Sequence, residues 1–209
     1  MYRKPLMILI GGPPGIGKTT LAKKLARDFD FEMYSTDFIV TVFEFILSPQ
    51  FVKFMRPPTL QAWKAIKKIL LNGEEPTIEG FKRQLVLSSI VINSFIKSAF
   101  GFEKLVILEG VHLVPGYINL DYYKERVLYV ILSLDNEEEY KRRFYTPKGI
   151  DKKDYSYNFP KNQKDFLRAL KIKNYIEKLA ISNNVKLIKN EDFDNSYKIL
   201  SEKIITLIK

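Results

Sequence analysis

Residues 12–19 read Gly12-Pro13-Pro14-Gly15-Ile16-Gly17-Lys18-Thr19 and fit the pattern G-x-x-x-x-G-K-[ST] without mismatch. The residues around this run make it constraining. Leu6 to Gly11 before it is a short, continuous apolar run, as in a parallel strand buried on both faces. Gly17 to Phe29 after it sets Leu21, Ala22 and Leu25 on one face of a helix. A strand, a glycine loop and a helix start together make an anion cradle. Glycines let successive backbone N–H groups turn toward a phosphate, and the helix adds the positive end of its dipole. In such a cradle Lys18 bridges β- and γ-oxygens, and the Thr19 hydroxyl ligates magnesium. The expected cofactors are therefore ATP and Mg2+. The expected nucleotide contacts are Gly12, Pro13, Pro14, Gly15, Ile16, Gly17, Lys18, Thr19 and Thr20.

Strands and helices alternate along the rest of the sequence. Strands are expected at 31–35, 105–109, 126–132 and 185–188, and helices at 37–47, 59–71, 79–99, 136–145, 164–182 and 196–208. In the last helix Tyr197, Leu200, Ile204 and Leu207 are expected to face inward. This alternation implies an α/β domain, a parallel five-stranded sheet with helices on both faces. The helical patterns at 59–71 and 79–99 have no strand between them. They read as a helical insertion over about residues 48–103 in a single domain of 209 residues. The polar stretch 146–163, with Pro147, Gly149 and Pro160, reads as a lid.

Composition excludes several chemistries. Cysteine is absent, which removes disulfides, thiolate metal sites and cysteine nucleophiles, and a single histidine removes His-rich metal sites. Any metal is expected to be a hard cation held by oxygens. The apolar run after Met1-Tyr2-Arg3-Lys4-Pro5 is too short for a signal peptide, and no stretch reads as long enough to span a bilayer, so a soluble cytoplasmic protein is expected. The formal net charge is +10. The excess is mostly scattered lysine, which suits solvated helix faces and leaves nucleic acid as an alternative partner.

Four further positions carry candidate chemistry. Glu109 ends the apolar strand 105–108 beside the phosphate loop, where a carboxylate orders a magnesium shell. Asp37 follows the second strand, where it either activates an acceptor hydroxyl or caps a helix. Arg142 and Arg143 precede the polar stretch, from which one of them could reach a transferring phosphoryl group or both could be solvated. His112 lies three residues past Glu109, as a donor to substrate or as a structural residue.

Several segments together resemble the archaeal 2-phosphoglycerate kinase family. They are Gly11 to Thr20 (GGPPGIGKTT), Ser35-Thr36-Asp37, Gln61-Ala62-Trp63, Glu79-Gly80-Phe81 with Gln84, and Ile107 to Gly116 (ILEGVHLVPG). The resemblance implies a P-loop NTPase with a nucleoside-monophosphate-kinase-like fold. It also implies ATP-dependent phosphorylation of the 3-hydroxyl of 2-phosphoglycerate. Asp37, Glu109 and His112 become site residues under it, and Trp63, Phe81 and Gln84 belong to the acceptor-side helices. Val40 stands where the family carries an arginine, so Arg56 and Arg83 become candidates for the acceptor's cation. Two alternatives share the phosphate loop: a kinase acting on a 5′-hydroxyl of a polynucleotide or nucleoside, and an ATP-binding switch that regulates a partner.

Overall fold

The computed structural model describes residues 6–66, 76–146 and 162–208. Strand β1 (Leu6–Gly11) leads into α1 (Lys18–Phe29), and β2 (Glu32–Ser35) into α2 (Thr36–Glu44). Then come α3 (Pro49–Met55), a 3-10 helix (Thr59–Ala65) and the long α4 (Pro76–Gly101). Strands β3 (Leu105–Glu109) and β4 (Val127–Ser133) precede α5 (Glu137–Tyr145) and α6 (Gln163–Ser182), and β5 (Lys186–Lys189) precedes α7 (Phe193–Ile208).

The five strands run parallel in the order β2-β3-β1-β4-β5. Side chains alternate across a strand, so β1 feeds two cores. Leu6, Ile8 and Ile10 join Leu21, Leu25, Leu200 and Ile204 on one face. Met7 and Leu9 join Ile39, Ile92 and Ile96 on the other. Each such aliphatic side chain, fully buried, contributes about 1.5–3 kcal/mol. Because the sheet is parallel, the exits of all five strands lie along one edge. Ile10 and Ser35 both stand in register with Glu109, and Gly11 with Ile131.

Local chemistry fixes the helix ends. Asn136 caps α5 by accepting from the Glu139 N–H, and Asn162 and Asp165 form a reciprocal capping box at the start of α6. The helix expected over 37–47 ends at Glu44, well before Pro49, which instead opens a further helix, since proline suits the first helical turn. The expected helix at 59–71 is a 3-10 helix over Thr59–Ala65. Its Leu60 and Trp63 are three residues apart, a spacing that serves a three-residue turn as well as an α-helix. Leu207, expected inward, is 40% exposed, while Leu200 and Ile204 are fully buried.

Contrary to expectation, among the described residues one helix, α4, is long and apolar enough by length and composition to cross a membrane. One face of α4, with Phe81, Leu85, Ile92 and Ile96, packs into the protein's own core. The lid expected at 146–163, with Lys148, Lys152 and Lys153, lies almost wholly outside the described residues.

Candidate functional site

The loop between β1 and α1 has Gly12 at φ 137°, Gly15 at 82° and Gly17 at 95°, a conformation side chains resist. At Gly17 the reason is also spatial: a Cβ there would come within 2.8 Å of Asn190 Nδ2. Three donors brace the loop's carbonyls. Tyr140 Oη donates to Pro14 O at 2.9 Å, Asn190 Nδ2 to Ile16 O at 2.8 Å, and Lys18 Nζ to Pro13 O at 2.8 Å. Ile16 is fully buried and anchors the loop into the core below. Burial pushes the Tyr140 phenol far above its ordinary value, so it acts only as a neutral donor here. With its carbonyls held from behind, the loop can present its N–H groups to a polyphosphate.

Thr19 and Glu109 meet at the mouth of this loop. Thr19 Oγ1 donates to Glu109 Oε1 at 3.1 Å, and Glu109 is 5% exposed. The parallel register that sets Ile10 beside Glu109 causes this meeting. Among the described residues no three acidic or histidine side chains cluster to hold a metal. One hydroxyl and one buried carboxylate next to a phosphate cradle fit magnesium, which keeps several waters and takes phosphate oxygens.

A second cluster forms one strand further out. Strand β2 lies beside β3, so Thr36-Asp37 and Gly110-Val111-His112 leave the sheet side by side. Contact is closest at Gly110, where a Cβ would sit 1.7 Å from Thr36 Oγ1. His112 Nδ1 stands 3.4 Å from both Thr36 Oγ1 and Asp37 Oδ1. The helix cap that the sequence offered to Asp37 belongs to Ser35, whose Oγ accepts from the Asp37 N–H at 3.1 Å. Glu44 shares the Asp37 face of α2, two turns on. Its carboxyl is pushed up by burial, with the charge of Arg56 opposing. Asp37 and His112 thus face each other, with Glu44 further along α2.

The remaining candidates take other partners. Val40 is buried in the core. Arg83 Nε pairs with Glu79 at 3.3 Å, and the buried Gln84 amide donates to the carbonyls of Met55 and Pro57. Arg142 is bound at 2.6 and 2.7 Å to both carboxylate oxygens of Glu139. Arg143 bonds Glu139 and the carbonyls of Asn190 and Glu191. The two guanidinium groups hold the Glu139 carboxyl at about 2. Two residues absent from the sequence analysis also belong here: Tyr140 and Asn190 behind the loop. Their only sequence signal is a polar group at the end of a strand or on a helix face, which is too common to single them out.

Comparison with known proteins matches this geometry. Residues 8–54 fit the model of the ATPase family associated with various cellular activities (AAA). The chain is 30% identical over 202 residues to a 2-phosphoglycerate kinase of Pyrococcus furiosus, across 96% of this chain and 64% of that protein. It is 26% identical over 213 residues to a 2-phosphoglycerate kinase of Methanocaldococcus jannaschii, across 99% of this chain and 67% of that one. The chain thus spans under two thirds of the length of the Pyrococcus relative. Among solved structures, shikimate kinase from Acinetobacter baumannii in complex with shikimate superposes with a TM-score of 0.55 at 16% identity, covering 100% of this chain and 97% of that one. A gluconokinase from Sinorhizobium meliloti 1021 gives 0.53 at 12%, covering 98% of both. At those identities the structures speak for the fold alone. The chain has a P-loop, nucleoside-monophosphate-kinase-like fold, and its sequence is similar over nearly all its length to 2-phosphoglycerate kinases of archaea.

Proposed function

We propose that the protein transfers the γ-phosphoryl group of ATP to a small hydroxylated, phosphorylated acceptor, 2-phosphoglycerate, giving 2,3-bisphosphoglycerate. The observation that carries this reading is one edge of the sheet holding two neighbouring clusters. One is a braced phosphate loop with Thr19 and Glu109; the other is a carboxylate with a histidine at the adjacent strand exit. The likeness to 2-phosphoglycerate kinases supports the choice of acceptor.

In this reading the loop amides and Lys18 hold the nucleotide's phosphates and follow the charge that develops on them. Thr19 and Glu109 would hold a magnesium ion and order its shell, and that ion would supply charge neutralisation on the phosphate oxygens. Asp37 orients the acceptor's hydroxyl and takes its proton. Arg56, exposed at the end of α3, supplies a cation for the acceptor's anionic groups. The helices between β2 and β3 form the acceptor side of a single domain. A cytoplasmic location, where ATP is plentiful, belongs to the same reading.

The test is to mix the protein with Mg-ATP and 2-phosphoglycerate and follow phosphorus NMR. The bisphosphorylated product is expected. ATP binding without that product rejects the acceptor.

A further inference from the structure

His112 is almost fully buried, and its Nε2, closed off from solvent, has no hydrogen-bond partner among the described residues. Its other nitrogen faces two oxygens, Asp37 Oδ1 and Thr36 Oγ1, each at 3.4 Å. Thr36 Oγ1 is a hydrogen-bond partner in either role and Asp37 Oδ1 stands at ion-pair distance; an ionised carboxylate only accepts, so an interaction with Asp37 requires a proton on Nδ1. The Nε2 side favours the same arrangement, because a sealed N–H without an acceptor costs more than a sealed lone pair. The backbone under the ring is fixed by a tight turn, with Leu113 N–H bonding Gly110 O and Val114 N–H bonding His112 O. Asp37, by contrast, keeps 35% of its side chain exposed. The exposed group can touch an acceptor, whereas the buried ring reaches only Thr36 and that exposed group through Nδ1.

From this we infer that His112 is a positioning residue. Its Nδ1–H fixes the Asp37 carboxylate in the orientation that receives the acceptor's hydroxyl proton, and its Nε2 takes no part. The inference deepens the proposed kinase reaction and rests on it for its catalytic consequence. The geometry itself stands apart from the choice of acceptor. During transfer the hydroxyl O–H bond breaks, its proton passes to Asp37, and the oxygen's electron pair forms the new bond to phosphorus as the ADP oxygen leaves.

Because the chain has one histidine, 15N-imidazole labelling gives an unambiguous signal. The long-range 15N–1H pattern of a proton on Nδ1 is expected in the wild type, and its loss is expected in Asp37→Ala. A proton on Nε2 alone in the wild type overturns the inference, whether or not 2-phosphoglycerate proves to be the acceptor. Kinetics then test the consequence. Asparagine places its amide nitrogen where Nδ1 lies, whereas glutamine reaches toward Nε2. His112→Asn should keep kcat within about tenfold of wild type, while His112→Gln and His112→Ala should lose about a hundredfold, all with little change in the KM for ATP. An active glutamine variant beside a dead asparagine variant makes Nε2 the working atom and sinks the assignment. An equal loss of ATP affinity in all three variants reduces His112 to a packing residue. Absence of product from the wild type rejects the acceptor and leaves the NMR result to decide the geometry.

Discussion

The hydroxyl of Thr19 donates to the carboxylate of Glu109 at 3.1 Å, although ninety positions separate them in sequence. The bond exists because β1 and β3 are parallel neighbours whose ends are level. One residue comes from the first turn of a helix and the other from a strand tip, so neither can drift without moving the sheet. Under the proposed reaction such a pair would seat a hydrated divalent cation.

That seat should respond to its carboxylate. Glu109→Gln keeps the shape and removes the charge. The magnesium concentration giving half-maximal turnover should rise about tenfold or more, as for other residues that order a metal's ligands. Nucleotide affinity without metal should stay close to wild type. A magnesium titration at fixed ATP, with calorimetry of ATP in chelator, measures both.

The phosphate loop should not tolerate a methyl group at Gly17. Gly17→Ala meets Asn190 Nδ2 at 2.8 Å and must hold φ near 95°. The strain should cost about 1–3 kcal/mol of stability, read by denaturant unfolding. ATP binding should weaken with it. Relieving the contact with Asn190→Ala should not restore the loop, because the backbone angle stays unfavourable for any residue with a Cβ.

Tyr140→Phe isolates one brace. It removes the donor to Pro14 O and leaves the ring in place beside Phe144 and Phe166. A loss of about 1 kcal/mol in stability is expected. The KM for ATP should rise more than kcat falls, since the bond shapes the empty cradle and makes no contact with the reacting atoms. Steady-state kinetics beside a urea titration separates the two effects.

One pH dependence can be assigned. Hydrogen bonds from Lys24, Tyr197 and Arg27 hold the Asp28 carboxyl at about 2, below its ordinary 3.8. A lowered folded pKa adds stability that is fully present above the ordinary value and lost as pH falls toward the lowered one. The gap in melting temperature between wild type and Asp28→Asn should therefore be widest above about pH 4 and close toward pH 2. A gap that widens in acid contradicts the assignment.

The amino-acid sequence by itself determined the anion cradle. Its glycines, lysine and threonine, the apolar run before them and the amphipathic helix after them are all neighbours along the chain. Short-range periodicity therefore records them directly, as it records the strands that end at Ser35 and Glu109 and the parallel alternation of strands and helices. It could not record that Ser35, and not Asp37, caps α2. It also could not record that Arg143 is drawn to the exit of β5, or that Tyr140 and Asn190 brace the loop from behind. Nor did it separate the two readings of His112, donor to a ligand or structural residue. Those outcomes depend on which strands lie side by side and on their register, which bring together residues far apart in sequence. Burial then decides what each polar atom can still reach: it leaves Asp37 partly open to solvent and seals the ring behind it.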